Sequence, residues 1–362
     1  SANDTITGGA GADELTGGDG DDELTGGAGA DTFVFADSAA NNGNDTIIDF
    51  NVGDGDDEII DFSGADKVDV LTGATLAASV TADYTAAEAG DIDNQAAAGD
   101  AVFTVEDGID FDASAATDTT NGITITAAPN AAGSTLVGTD QGDAIIGGAG
   151  ADELIGGDGD DDLTGGAGAD ELTGGAGDDD LTGGAGADTF VFSDTNGTDT
   201  ITDFSGNSGE GEKLDLSNVT VQGTLDTEAV TNAAADNSID LSGGDFGTNG
   251  HIFVIDTDAE DLGNNGGSPI GDFTDMADVA AFLNDGGNNG VTTNDDAGEV
   301  HYFLINDGDS VGDGDVDGHA YAYLYRFEDA GGNNTLEDDE LSLVADITEV
   351  GDNAIIATDF TV

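Results

Sequence analysis

Positive charge is almost missing from this chain: its 362 residues hold three Lys and Arg against 79 Asp and Glu, a formal net charge of −76. Nucleic acid and anionic membrane are thereby excluded as direct partners, since both are held through cationic side chains. Self-repulsion of that size has to be offset by bound cations, high salt or both. Cysteine is absent, so no disulfide staples the chain, and metal is the remaining substitute in a secreted protein. No run approaches the ~20 apolar residues of a membrane span, which argues against direct membrane insertion. No charged-then-apolar leader opens the chain. Catalytic signatures are missing too. There is no HExxH, GxSxG or GxxxxGK string, and His251, His301 and His319 sit in strand-like runs. The expectation is a protein that is not an enzyme.

Glycine is abundant, at 60 residues, and it is not scattered. From Gly147 the chain reads in nines, GGAGADELI, GGDGDDDLT, GGAGADELT, GGAGDDDLT and GGAGADTFV, after a degenerate copy at 138–146, GTDQGDAII. A shorter array lies near the start: GGAGADELT from Gly8, GGDGDDELT from Gly17 and GGAGADTFV from Gly26. Each copy joins a turn, GGxGxD, to a short strand with a central apolar residue. Paired glycines let the backbone bend through positive φ, so that its carbonyls converge. The Asp that closes each turn adds a carboxylate, and a hard cation with about 6–8 oxygen ligands suits that mixture. The central residues Leu15, Leu24 and Phe33, then Ile145, Leu154, Leu163, Leu172, Leu181 and Phe190, are expected to stack inward. Without metal the turns gather like charges, so binding and folding are expected to be one event. A flexible Gly-rich linker would keep neither a nine-residue phase nor an apolar residue at a fixed place in it.

The nonapeptide resembles that of the RTX proteins, which are secreted by type I systems and fold outside the cell as right-handed parallel β-rolls. The resemblance implies two nonapeptides per full turn, with several Ca2+ ions held between turns by motif glycine carbonyls and motif Asp residues. In the first array those positions are Gly8, Gly9, Gly11 and Asp13, then Gly17, Gly18, Gly20 and Asp22, then Gly26, Gly27, Gly29 and Asp31. In the second they begin with Gly147, Gly148, Gly150 and Asp152, followed by Gly156, Gly157, Gly159 and Asp161. They continue through Gly165, Gly166, Gly168 and Asp170, then Gly174, Gly175, Gly177 and Asp179, and end with Gly183, Gly184, Gly186 and Asp188. Asp143 keeps the motif place in the degenerate copy, but Thr139 and Gln141 replace motif residues there, which weakens the case for a site.

Four parts are expected, all-β in class: a β-roll module at 1–70, a β-rich connector at 71–135, a second β-roll module at 136–217, and a C-terminal β-rich domain at 218–362. Both arrays run into the same terminator, GADTFVF at 29–35 and at 186–192, then GNDTIIDF at 43–50 and GTDTITDF at 197–204. This resembles the module that closes RTX arrays in serralysin-type proteins. Lys67 and Lys213 fall at equivalent places in the two modules and read as local ion-pair partners. In the connector, AVFTVE(101–106) and GITITA(122–127) read as strands and 85–99 as a short helix; a small domain and an elaborated linker both fit. Beyond it, 251–256, 299–306 and 319–328 read as strands and 273–285 as a helix. Residues 329–340 can be read as a twelve-residue calcium loop, with Asp329, Asn333, Thr335 and Glu340 at ligand places, or as a solvated acidic turn, since Gly331 and Asn334 depart from the loop pattern. The last residues, 357–362, resemble the acidic-then-apolar tail of type I substrates.

The leading functional expectation is a calcium-loaded extracellular protein that self-assembles head to tail into a filament or a surface layer. The first array starts inside a repeat, since Asp4 and Ile6 align with Asp143 and Ile145, and so presents an unfinished edge. Ser1 fits removal of an initiator Met, which slightly favours an edge exposed in the mature protein. Two alternatives stand beside it: the C-terminal calcium-binding and secretion portion of a larger RTX adhesin or hydrolase, and a monomeric glycan-binding module.

Overall fold

The computed structural model describes residues 3–18, 22–28, 32–34, 46–47, 58–60, 67–70, 76–80, 84–85, 92–94, 101–106, 108–116, 121–129, 132–193, 197–204, 211–219, 226–228, 251–256, 300–307, 320–328, 341–350 and 360–361. Among them there are strands and no helix. The chain is an all-β protein built around a parallel β-roll. It divides into two compact units, Ser1–Asp188 and Thr189–Val362.

The first unit is a stack of coils whose strands pair in parallel with the coil before and the coil after. One row runs through the unit: Glu14–Leu15, Thr32–Val34, Glu58–Ile60, Leu76–Val80, Ala101–Val105, Thr124–Ala127, Ala144–Ala149, Asp162–Gly168 and Asp180–Gly186. Its companion row changes along the unit. Early coils set it beside Thr5–Ala10, Glu23–Ala28, Thr46–Ile47, Lys67–Val70 and Ile92–Asn94. Later coils set it beside Tyr84–Thr85, Phe111–Asp112, Thr135–Val137, Glu153–Asp158 and Glu171–Ala176.

Coil length follows the motif. Within the arrays each residue pairs with the one 18 further on, as Ile145 with Leu163 and Leu163 with Leu181, or Leu136 with Leu154 and Leu154 with Leu172. That is two nonapeptides per coil. Between the arrays the coils are longer, Ala78 pairing with Phe103, Phe103 with Ile125 and Ile125 with Ile145. The described strands of 71–135 are therefore further coils of the same stack. Strand Ile92–Asn94 occupies part of the segment expected to be helical. Equal spacing puts the central apolar residues in register along the core. Leu15, Leu24 and Phe33 are buried, as are Ile145, Leu154, Leu163, Leu172 and Leu181.

In the second unit, Thr189–Ser193, Lys213–Asn218 and Phe360–Thr361 pair in parallel. The tail read as secretion-like thus contributes a strand, with Phe360 opposite Leu214. The expected strands are seen at His251–Asp256, Val300–Asp307 and Ala320–Glu328, the last two antiparallel. A further strand, Leu341–Val350, lies between Ala320–Glu328 and Asp199–Ile201. Tyr302, Leu304, Leu324, Tyr325, Phe327 and Ile347 are buried, and the Phe190 and Phe204 rings lie 6.0 Å apart. The expected helix at 273–285 and the calcium loop at 329–340 lie outside the described residues.

Candidate metal centre

The motif Asp residues are the polar exception in an apolar interior. Asp152, Asp161, Asp170, Asp179 and Asp188 are each at most 3% exposed, an expensive place for a carboxylate unless it is partnered. One oxygen of each is accounted for by a ladder that follows the coil. The Asp152 N–H donates to Asp170 Oδ1, Asp161 N–H to Asp179 Oδ1 and Asp170 N–H to Asp188 Oδ1, each at 2.9 Å. The Ser134 N–H donates to Asp152 Oδ1 at 2.8 Å and the Asp143 N–H to Asp161 Oδ1 at 2.7 Å. The carbonyls of Asp143, Asp152 and Asp161 accept the N–H groups of Asp162, Glu171 and Asp180, all at 2.8 Å. Each motif Asp therefore locks its own coil to the next.

The second oxygen is different. Oδ2 of Asp152, Asp161 and Asp170 is buried and accepts no hydrogen bond. The same oxygen is shut off from solvent in Asp13, Asp22, Asp179 and Asp188. It faces a space that exists because the first motif residue is glycine. A β-carbon on Gly147 would stand 2.7 Å from Asp152 Oδ2 and 2.7 Å from the Gly165 carbonyl; one on Gly165 would stand 2.6 Å from Asp170 Oδ2 and 2.7 Å from the Gly183 carbonyl. A carboxylate oxygen and a carbonyl from the next coil thus converge at Gly147, Gly156 and Gly165, as they also do at Gly138 of the degenerate copy. The second motif glycine is needed as well. Gly166 has a φ of +109°, which L side chains rarely adopt, and any β-carbon there would collide with the Gly148 carbonyl.

Burial pushes these carboxyls up. Asp161 is raised from 3.8 to about 8 and Asp170 to about 6, by desolvation first, with the neighbouring ladder carboxylates adding to it and a backbone hydrogen bond opposing it. Asp152 is raised by the same burial. A buried oxygen with no donor, beside a carbonyl and aimed into a glycine-lined space, fits a hard cation better than a proton. Among the described residues no three acidic or imidazole side chains converge on one point. That agrees with a donor set drawn mostly from main-chain carbonyls.

The first array repeats the arrangement. Asp22 is buried, its Oδ1 accepts the Asp4 N–H at 2.7 Å, and a β-carbon on Gly8 would stand 2.7 Å from the Gly26 carbonyl and 2.8 Å from Asp13 Oδ2. Gly20, Gly29, Asp31, Asp329, Asn333, Thr335 and Glu340 lie outside the described residues. Two buried carboxylates escaped the sequence reading, Asp199 and Glu212, each 1% exposed in the second unit. Their signal was the tail of the repeat without its glycines, D-x-I in GTDTI and E-x-L in GEKL. Asp160 is a third addition: its exposed carboxylate accepts the Asp178 N–H at 3.0 Å.

The RTX calcium-binding nonapeptide repeat family (4 copies) matches residues 1–33, 137–172 and 155–190. The two arrays are RTX calcium-binding repeats. Comparison with curated proteins gives no match. Calcium is the ion these repeats bind. The residues present fit it: Oδ2 of the motif Asp and the glycine carbonyls would hold the ion, which supplies a positive charge to a buried row of carboxylates. RTX repeats are typical of secreted proteins, and among the described residues no helix is long and apolar enough to cross a membrane.

Proposed function

We propose that the chain is a calcium-dependent extracellular structural protein that folds on calcium after passing through a type I secretion apparatus. Its copies then join head to tail into a filament or a surface layer. One observation carries the assembly reading. Where the stack ends at Thr5–Leu15, that coil offers an open parallel edge: Thr5–Ala10 pairs with Glu23–Ala28 and, among the described residues, with no other strand. A β-carbon on Gly9 or Gly11 would meet nothing within 4 Å, whereas one on Gly27, a coil deeper, would meet the Gly9 carbonyl. Such an edge templates pairing with another coil, and a contact between unlike surfaces builds an open filament unless its rotation closes a ring. With a charge of −76, copies approach one another only where cations screen them. The role is structural rather than catalytic, since the motif carboxylates are committed to the ladder and the ion.

The same edge favours one other reading. Further repeats of a longer polypeptide would seat on it equally well, making this chain the calcium-binding and secretion portion of a larger RTX adhesin or hydrolase. Electron microscopy of the chain in millimolar calcium and after chelation separates the two. Ordered fibres or sheets that dissolve on chelation support assembly; folded, dispersed monomers in calcium contradict it and favour the larger protein.

A further inference from the structure

In the degenerate turn at 138–143, both oxygens of the buried carboxylate already accept protein donors, and Oδ2 accepts two. Asp143 Oδ2 accepts the Thr139 N–H at 2.5 Å and the Thr139 hydroxyl at 3.0 Å, and Oδ1 accepts the Ile123 N–H at 2.6 Å. The Thr139 hydroxyl also accepts the Gln141 N–H at 3.2 Å, and the Gln141 carboxamide donates to the Asp140 carbonyl at 2.9 Å. Both residues that break the motif are thus wired into the turn. Repeats with Asp152, Asp161 and Asp170 have glycine in the place of Thr139, and there Oδ2 accepts no hydrogen bond. A cation needs free oxygen lone pairs directed at it; at Asp143 they are spent on N–H and O–H donors. The residues of this turn do not fit the ion that their neighbours fit.

We infer that Thr139 takes the place of calcium at Asp143, so that the turn 138–143 is a metal-independent lock on which the calcium-dependent array is built. The inference rests on the reading that calcium binding and folding of the array are coupled.

The coils that precede the lock support it. They hold no nonapeptide, and their core is apolar: Phe103, Phe111, Ile123, Ile125 and Leu136 are buried, with the Phe103 and Phe111 rings 4.9 Å apart. The lock ties the array to that core in both directions. Ile123 donates its N–H to Asp143, and Ala144 returns its N–H to the Ile123 carbonyl at 2.9 Å. In a stack where each coil contacts only its neighbours, a coil that holds without metal supplies the edge on which the first calcium-filled coil docks.

Hydrogen exchange on the full chain, in calcium and in chelator, tests this. The Ile123, Thr139 and Ala144 amides should stay protected after chelation, while those of Asp152, Asp161 and Asp170 lose protection. Thr139→Gly should make protection at Ile123 and Ala144 calcium-dependent and let the chain bind one further ion; Thr139→Ser should behave as the unaltered chain. Loss of protection at Ile123 and Ala144 together with the array on chelation would overturn the lock, as would an unchanged ion count and unchanged protection in Thr139→Gly. If no amide of the array responds to calcium, the coupling of folding to calcium fails first, and the lock with it.

Discussion

The coils of 76–137 and those of 144–188 belong to one parallel stack, yet they are held together by different chemistry. The first group fills its interior with aromatic and branched side chains, Phe103 and Phe111 among them, and allows 20 or more residues per coil, as from Phe103 to Ile125. The second keeps a strict 18-residue coil, with one buried leucine or isoleucine per strand and a buried carboxylate beside it. Burying apolar area stabilises about 25 cal/mol per Å2, and the array has little to bury. Its coils are short because glycine turns are tight, and tight turns leave room for a cation rather than for side chains. On the proposed reading, the same fold is stabilised by hydrophobic burial in one stretch and by metal in the other.

Chelation should separate the two stretches most strongly. With calcium removed, the 144–188 coils should become protease-sensitive and lose their β signal in circular dichroism, while the Phe103–Phe111 coils survive; a single loss of both would merge what the comparison separates. Phe103→Ala should come next, costing about 3–5 kcal/mol by denaturant unfolding in calcium and without it alike. Asp170→Ala should cost less, about 1–3 kcal/mol for the Asp152 N–H left without its acceptor, and only in calcium, where the array is folded. It should also raise the calcium concentration needed for folding.

A further effect is on pH. Asp161 and Asp170 have folded values raised to about 8 and about 6, against 3.8 unexposed to burial. A raised carboxyl binds its proton more tightly in the folded state, so the penalty it imposes on the metal-free array is absent below 3.8 and grows as pH rises through 6 toward 8. In chelator, acidification from pH 8 to pH 5 should therefore recover part of the array's circular dichroism, and calcium should erase that dependence. Recovery on raising the pH instead would contradict the burial argument.

Much of this was legible in the sequence because the nine-residue phase fixes everything that repeats. The positions of Asp152, Asp161 and Asp170 and the inward leucines follow from spacing, whereas the two-repeat coil was implied only by the resemblance to RTX proteins. The intervening coils were not legible, since their turns vary in length and carry no motif, so AVFTVE and GITITA read as strands without a stack to belong to. The change of companion row is likewise invisible, because it depends on which edge a coil meets rather than on any residue. Thr139 showed in the sequence only as a departure that weakened a site. Its hydroxyl and N–H reaching Asp143 required the turn itself. The strand Leu341–Val350 was missed because LSLVADITEV mixes apolar and acidic residues with no sustained alternation.

Anomalous diffraction from crystals of the chain grown in calcium tests the central claim most directly. Ions should lie against Oδ2 of Asp152, Asp161 and Asp170 together with glycine carbonyls, and none should lie at Asp143. Ions gathered instead along the exposed Glu153–Glu171 column, or no ions in the glycine cradles, would contradict it.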